Sequence, residues 1–374
     1  MRTGPELSII VPTLNEADNV GEVIGRLHDC LTGVDWEVIF VDDDSPDKTA
    51  ESVRALNRGD PRVRVVHRIG RRGLTTACVE GMLASSAPYL AVMDADLQHD
   101  ERILPKMLKA VRDEGFEVAV GSRYVESGSM GEWAEDRQLV SRVATKLSRL
   151  VMKADLKDPM SGFFLLRREV LHEAVKNLSG IGFKILLDIF ASVGRKLKFT
   201  EVGYTFRTRH AGESKLDSMV AWEYLMMLLD KTVGRYVPVR FIPFAAIGGL
   251  GVFVHMATLW VLFQGVHGGA NNRFAFSQAV AAVVAMTFNF FLNNMLTYRD
   301  RRVRGLAMLR GWLSFTIACS LGAVANVGIA TYLLQSDALG NVGWVPSAVT
   351  GIVVGAVWNY AVTSVYTWNK PKPV

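Results

Sequence analysis

The chain has 374 residues, 49% of them hydrophobic, three cysteines and a formal net charge of +5. Cys30, Cys78 and Cys319 are scattered without CxxC or Cys/His spacing, which excludes a disulfide or zinc framework and points to a reducing compartment. The charge is uneven: residues 241–374 hold eight Lys+Arg against two Asp+Glu, leaving 34 against 35 in the first 240. The basic excess therefore lies beside apolar runs, where an anionic membrane surface explains it better than nucleic acid does.

No signal-like segment precedes the first apolar run, which predicts that the front half stays in the cytosol. From residue 7 to 120, short apolar runs alternate with helical patterns. "LSIIVP" reads as a strand, Asp18–Leu31 as a helix, "WEVIFVD" as a strand and Lys48–Asn57 as a helix. "VRVVH" is a strand, Leu74–Ser85 a helix, "YLAVMD" a strand, Ile103–Glu114 a helix and "FEVAVGS" a strand. Such alternation predicts an α/β doubly wound, mostly parallel sheet covered on both faces. Ligands of such sheets bind beyond the carboxyl ends of the strands. The polar clusters "PTLNE", "DDDSPDKT" and "DADLQHDE" fall there, after the first, second and fourth strands. No GxGxxG follows the first strand and no GxxxxGK[ST] occurs, which disfavours a dinucleotide-binding or P-loop domain.

In "YLAVMDADLQHDE", Asp94 and Asp96 flank Ala95, so in an extended chain both carboxylates point to one side, which Gln98 continues. Two carboxylates and an amide oxygen suit Mg²⁺ or Mn²⁺ shared with substrate phosphates. Asp100 suits the cap of the following helix.

The ordered motifs "VPTLNE", "VDDDSPDKT", "GLTTACVEG", "MDADLQHDE", "GSRY", "DPMSGFFLLRREV", "IGFKILLDI" and "HAGESK" resemble the inverting family 2 glycosyltransferases of GT-A fold. Within that family they are most similar to the dolichol-phosphate mannose synthases, over roughly residues 7–225. The resemblance implies that Pro12, Leu14, Glu16, Val41 and Asp43 hold the nucleoside, with Glu16 or Asp43 accepting from the base edge. Leu14 departs from the pattern, because relatives often carry Tyr there. Asp94, Asp96 and Gln98 would hold the metal, with Asp96 also near the ribose and diphosphate. Arg123, Arg137 and Ser141 match the family's lipid-phosphate site. Arg209 and Lys215 match a mobile basic loop that would close over the donor diphosphate. Asp96, Arg123 and Arg209 are then the catalytic set. "DPMSGFF" favours GDP-mannose over UDP-glucose as donor.

Gln138–Lys153 sets Leu139, Val143, Leu147 and Leu150 on one face beside a stripe of Arg142, Lys146, Arg149 and Lys153, the pattern of an interfacial helix. Met219–Leu229 is a second, Met-rich candidate. Beyond Arg240, four apolar stretches follow, at about Phe241–Val266, Phe274–Leu296, Ser314–Leu334 and Val345–Trp368. Each is long enough to cross about 30 Å of hydrocarbon. Arg299, Arg301, Arg302, Arg304 and Arg310 lie between the second and third stretches, so positive-inside bias puts that loop and both termini in the cytosol.

"VVAMTFNFFLNNMLTYRD" (Val283–Asp300) matches "VVGAVWNYAVTSVYTWNK" (Val353–Lys370) at a constant offset of 70, pairing Asn289 with Asn359 and Tyr298 with Trp368. Two tandem helical hairpins are predicted. The asparagines suit either a path for a polar head group or interhelical hydrogen bonding. This region resembles the GtrA-like four-span family, linked to export or membrane organisation of lipid-linked sugars.

The expected architecture is a catalytic domain at 1–215, an interfacial helix and linker at 216–240, and a four-helix membrane domain at 241–374. The expected partners are a nucleotide sugar, a polyprenyl or dolichyl phosphate and the bilayer, with no nucleic acid; a homo-oligomer is compatible with the pattern. A processive polysaccharide synthase would need QxxRW, and "QLVSR" at Gln138–Arg142 lacks the Trp. A glucosyltransferase using UDP-glucose and a flippase with the front domain as binding module are the alternatives.

Overall fold

The computed structural model describes residues 4–125, 147–149, 151–152, 154–207, 218–234, 236–265, 270–335 and 344–368. Its contacts divide the chain into two compact units, Met1–Arg235 and Tyr236–Val374.

The first unit is built on a seven-stranded sheet. Its strands are β1 (Leu7–Thr13), β2 (Trp36–Asp42), β3 (Val63–His67), β4 (Tyr89–Val92), β5 (Val118–Ser122), β6 (Phe164–Arg167) and β7 (Phe199–Gly203). They lie in the order β3-β2-β1-β4-β6-β5-β7. All pairings are parallel except those of β6, which runs antiparallel to both β4 and β5. The continuous apolar runs of β1 and β2 are buried at every position, as a sheet covered on both faces requires.

Helices α1 (Val20–Cys30), α2 (Thr49–Asn57), α3 (Leu74–Ala84) and α4 (Leu104–Arg112) follow the first four strands. The short α5 (Arg168–Ala174) follows β6, and α6 (Ile185–Ser192) precedes β7. One buried cluster joins Ile10, Ile39 and Val41 of the sheet to Ala77, Cys78 and Met82 of α3 and to α6. A second joins Ile9, Val11, Val38 and Phe40 to Val23 and Leu27 of α1 and Met107 of α4. Burying each such Ile, Leu or Val contributes about 1.5–3 kcal/mol relative to exposure. Order reverses at β1, whose neighbours are β2 and β4, and that switch point opens the crevice expected to take ligand.

Two departures from the sequence reading matter here. The expected strand "YLAVMD" ends at Val92, before either aspartate. Strands β6 and β7 were not anticipated; β6 is a four-residue run joined directly to α5.

The Met-rich helix α7 (Ser218–Val233) packs within the first unit. Met227 and Leu228 are buried in the core shared with α6, while Leu225 is 43% exposed. Most of the basic Gln138–Lys153 segment lies outside the described residues; within it Met152 is buried and Arg149 pairs with Asp155 at 3.1 Å.

The second unit consists of α8 (Phe241–Gly265), α9 (Ala270–Leu292), α10 (Ala307–Gln335) and α11 (Trp344–Tyr366). All four are long and apolar enough to span a membrane. Helix α10 begins seven residues before the stretch read from sequence, so Arg310 sits on its exposed first turns, where a long side chain can reach the head groups. The tandem repeat is visible as geometry. Asn289 packs on Gly251 of the preceding helix, and Asn359 packs on Gly322 in the corresponding place. The repeat partners Tyr298 and Trp368 stack on one another, with ring centroids 4.1 Å apart and planes at 5°. Trp368 Nε1 donates to Asn294 Oδ1 at 3.1 Å, joining the ends of the two hairpins.

Gly81 of α3 lies directly over β1 and β2. A Cβ there would stand 2.6 Å from Ile10 Cγ2 and 2.7 Å from Val41 Cγ2. Gly81→Ala is expected to cost about 1–3 kcal/mol by overpacking, read as a lower thermal midpoint of the first unit. An unchanged midpoint would contradict this packing.

Candidate active site

The loops after β1 and β2 are laced together by backbone donors. Asn15 N–H donates to Ser45 Oγ (3.0 Å), Glu16 N–H to Thr49 Oγ1 (3.1 Å) and Ala17 N–H to Asp47 Oδ2 (3.0 Å). Glu16 Oε2 accepts from Asn19 Nδ2 at 2.7 Å. Pro12 and Val41 are opposed in register and both buried. Val41 packs its side chain under α3, so any contact it makes with a nucleoside is through its backbone. Leu14 is part-exposed at the end of β1.

Asp43 is 6% exposed, and both of its oxygens are engaged. Arg68 Nη1 donates to Oδ1 at 2.7 Å and Gly73 N–H to Oδ2 at 2.7 Å. Burial raises the Asp43 pKa, opposed by those two donors. Its present bonds make it the anchor of the Gly73 turn that starts α3, and a base edge would have to compete with Arg68 for it.

The aspartate turn departs from a strand, yet its alternation persists. Met93, Ala95, Leu97 and His99 are buried, whereas Asp94, Asp96 and Gln98 are part-exposed on the other side. Leu97 adopts φ 61°, and Asp96 Oδ1 accepts the Gln98 N–H at 3.2 Å, which together fold the chain back. Asp100 caps the next turn by accepting the Arg102 N–H, as expected.

His99 was assigned no role from sequence, yet it fixes this turn. It is 3% exposed and stacks on Phe163 at 5.1 Å, with Tyr204 and Phe206 edge-on. Its Nδ1 accepts the Asp94 N–H at 3.2 Å, so that nitrogen carries no proton. Burial holds its pKa below the ordinary histidine range despite the pull of Asp94 and Asp96. The neutral ring therefore sets the backbone of the first aspartate without adding charge.

Gln98 and Arg207 form a two-way bridge. Arg207 N–H donates to the Gln98 carbonyl at 2.9 Å, and Gln98 Nε2 donates to the Arg207 carbonyl at 3.1 Å. Gln98 Oε1 is then the amide atom that could serve an ion. The Arg207 guanidinium pairs with Asp100 at 2.8 Å and Glu101 at 2.9 Å. Arg207, which precedes the segment expected to form the basic loop, is thus pinned to the aspartate turn. Arg209 and Lys215 of that loop lie outside the described residues, as do Arg137 and Ser141.

Arg123 follows β5 and is tied to Asp158, a fully buried carboxylate. Its Nε and Nη2 donate to Oδ2 and Oδ1, each at 2.8 Å, and its backbone N–H adds a bond of 3.2 Å. Burial works against the Arg123 charge, but Asp158 outweighs it and the pKa rises. The predicted phosphate-binding arginine therefore carries a structural partner that sequence reasoning did not identify, although Asp158 opens the "DPMSGFF" motif.

The loop that Asp158 begins touches each part of the site. Ser161 Oγ donates to the Gly121 carbonyl at 2.7 Å, and the Met160 carbonyl accepts from Lys184 Nζ at 3.1 Å. Gly162 lies against Asp94, where a Cβ would approach Oδ2 to 3.0 Å.

Among the described residues no group of three His, Cys, Asp or Glu side chains could hold a metal ion alone. Asp94 and Asp96 supply a partial shell of hard oxygen donors, the type that suits Mg²⁺ or Mn²⁺ completed by water and phosphate.

Breaking the buried pair from either side strands a charge. Arg123→Met and Asp158→Asn are each expected to cost about 3–5 kcal/mol, and the double variant less than their sum. Additive losses in unfolding measurements would contradict the pairing.

Comparisons with known proteins identify the family. Residues 8–174 match Glycosyl transferase family 2, and residues 243–368 match GtrA/DPMS, transmembrane domain. The dolichol-phosphate mannosyltransferase of Pyrococcus furiosus is 37% identical over 367 residues, spanning 97% of this chain and 99% of its own. That of Saccharomyces cerevisiae is 34% identical over 62% of this chain and 88% of its own. Glucosyl-3-phosphoglycerate synthase from Mycobacterium tuberculosis, solved with Mn²⁺ and UDP-glucose, overlaps at a TM-score of 0.46 with 22% identity, covering 61% of this chain and 80% of that one, and adds nothing to the assignment. The chain belongs to the family 2 glycosyltransferases, within the dolichol-phosphate mannosyltransferase group that carries a GtrA/DPMS transmembrane domain.

Proposed function

We propose that this chain transfers mannose from GDP-mannose to the phosphate of a polyprenyl or dolichyl phosphate, inverting the anomeric carbon, with its first unit and both termini on the cytosolic side. The observation that carries this reading is the Asp158–Gly162 loop. It gathers a carboxylate turn suited to a donor diphosphate and an arginine suited to an acceptor phosphate, in a chain 37% identical to a dolichol-phosphate mannosyltransferase over nearly its whole length.

The acceptor phosphate has a second pKa of about 6 and is largely dianionic at neutral pH. Its oxygen can attack the anomeric carbon without a side-chain base, and the bond from that carbon to the diphosphate breaks as the new bond forms. The nucleoside diphosphate leaves with the electron pair. Asp94 and Asp96, with Gln98 through Oε1, would hold Mg²⁺ or Mn²⁺, whose charge stabilises the departing diphosphate when bound.

The protein's own part is orientation. His99 and Arg207 fix the aspartate turn, and Arg209 and Lys215 add positive charge at the diphosphate from the loop expected after Arg207. Arg123, Arg137 and Ser141 align the nucleophile. The loops after β1 and β2, with Pro12, Leu14, Glu16, Val41 and Asp43, take the nucleoside.

The test offers the purified chain Mn²⁺, a short polyprenyl phosphate and either GDP-mannose or UDP-glucose. Mannosyl transfer from GDP-mannose is expected, and Asp96→Ala should slow it about a thousandfold or more. Near-normal turnover in that variant with metal present would remove the carboxylate assignment. Transfer from UDP-glucose alone would replace the donor.

A further inference from the structure

On the described part of the acceptor side, Arg123 is committed to a carboxylate. Its Nε, Nη2 and backbone N–H donate to Asp158, so that pair is close to neutral as a unit. A phosphate dianion approaching it would meet little net attraction from these two residues.

A second cation stands beside them. Lys184 lies just before α6, and its Nζ donates to the Met160 carbonyl at 3.1 Å while resting 4.5 Å from the centre of the Phe183 ring. Met160 belongs to the loop that carries Asp158, two residues earlier, and Gly162 against Asp94, two residues later. A lysine ammonium has three donors, and one is used here. Among the described residues no carboxylate forms an ion pair with Lys184; the charges that act on it are Arg123, Asp158 and Asp94. Burial, reinforced by Arg123, lowers its pKa to about 8. An ammonium set in protein without a direct counter-ion is costly, and a bound anion would relieve that cost.

The segment bearing Lys184 is fixed from behind. The Ser179 N–H and hydroxyl and the Gly180 N–H all donate to Asp188, which is fully buried on α6. Asp188 pairs in turn with Lys231 of α7 at 2.6 Å, and Lys231 also donates to Ser192 Oγ at 2.8 Å. Gly182 lies against Glu223 of α7. A side chain on so well-anchored a segment can be held to the tolerance a reacting group needs.

We propose that Lys184 is a further binding residue of the acceptor site, donating to the phosphate of the polyprenyl phosphate beside the Arg123–Asp158 pair. This rests on the acceptor reading given above. It adds a compact point charge on the loop that links the acceptor-side pair to the donor-side Asp94.

The test uses the full chain in detergent, with binding of farnesyl phosphate as probe and of farnesol and inorganic phosphate as controls measured without donor, and the donor KM read separately from mannosyl transfer. Lys184→Met keeps the stem and removes the charge; Lys184→Arg restores a cation. Lys184→Met should weaken farnesyl phosphate binding about tenfold or more, with farnesol binding and the donor KM within about twofold of wild type, and Lys184→Arg should recover most of the loss. Unchanged farnesyl phosphate affinity in Lys184→Met overturns the proposal. So does an equal loss of farnesol binding in both variants, which would make Lys184 a support for the Met160 loop only. So does inorganic phosphate binding as tightly as farnesyl phosphate, which would make this a free-phosphate site. Should Lys184→Met fail to fold, Lys184→Gln is read by the same criteria. A wild-type chain that binds farnesyl phosphate and transfers no mannose would refute the proposed function, while the binding comparison still decides Lys184.

Discussion

The active edge depends on one buried ion pair. Asp158 has no exposure to water, and Arg123 meets it with two fork bonds and a backbone N–H. That pair holds the start of a five-residue loop whose other members face the rest of the site. Through Ser161 the loop is fastened to the end of β5, through Met160 it receives Lys184, and through Gly162 it backs Asp94. Strand β6 follows at once and inserts antiparallel between β4 and β5. The departure from an all-parallel sheet is what brings this loop beside the aspartate turn.

Like charges also need explaining at the same edge. Asp94 and Asp96 sit two residues apart beyond β4. What the chain supplies is a neutral histidine that fixes the Asp94 backbone and an Asx turn that fixes Asp96. Both carboxylates stand on backbone that the fold itself fixes, which is the preorganisation expected of a site that receives a cation with its diphosphate.

Much of this was legible in the sequence because its signals are local. Runs such as "LSIIVP" and "WEVIFVD" state their burial through composition, and "DADLQ" states its alternation through spacing. The four apolar stretches and the offset of 70 announced the membrane unit, and Tyr298 stacking on Trp368 is that repeat realised in space. The remainder was hidden because it is long-range. Asp158 meets Arg123 across 35 positions and Arg207 meets Asp100 across 107, and no periodicity links such residues. Strand β6 was hidden for another reason: four residues running straight into a helix give no alternation to read. The helical pattern of Met219–Leu229 suggested an interfacial face, and it could not show that Lys231, beyond its end, anchors α7 to Asp188.

The claim at the centre of this account is a single displacement by a lipid phosphate at a metal-assisted carboxylate turn, with no side-chain nucleophile. The stereochemistry of the product tests it most directly. Nuclear magnetic resonance of the glycosyl phosphate made by the purified chain from GDP-mannose and a short polyprenyl phosphate should show the anomeric configuration opposite to that of the donor. Retention of the donor's configuration would require a second displacement and would contradict the mechanism.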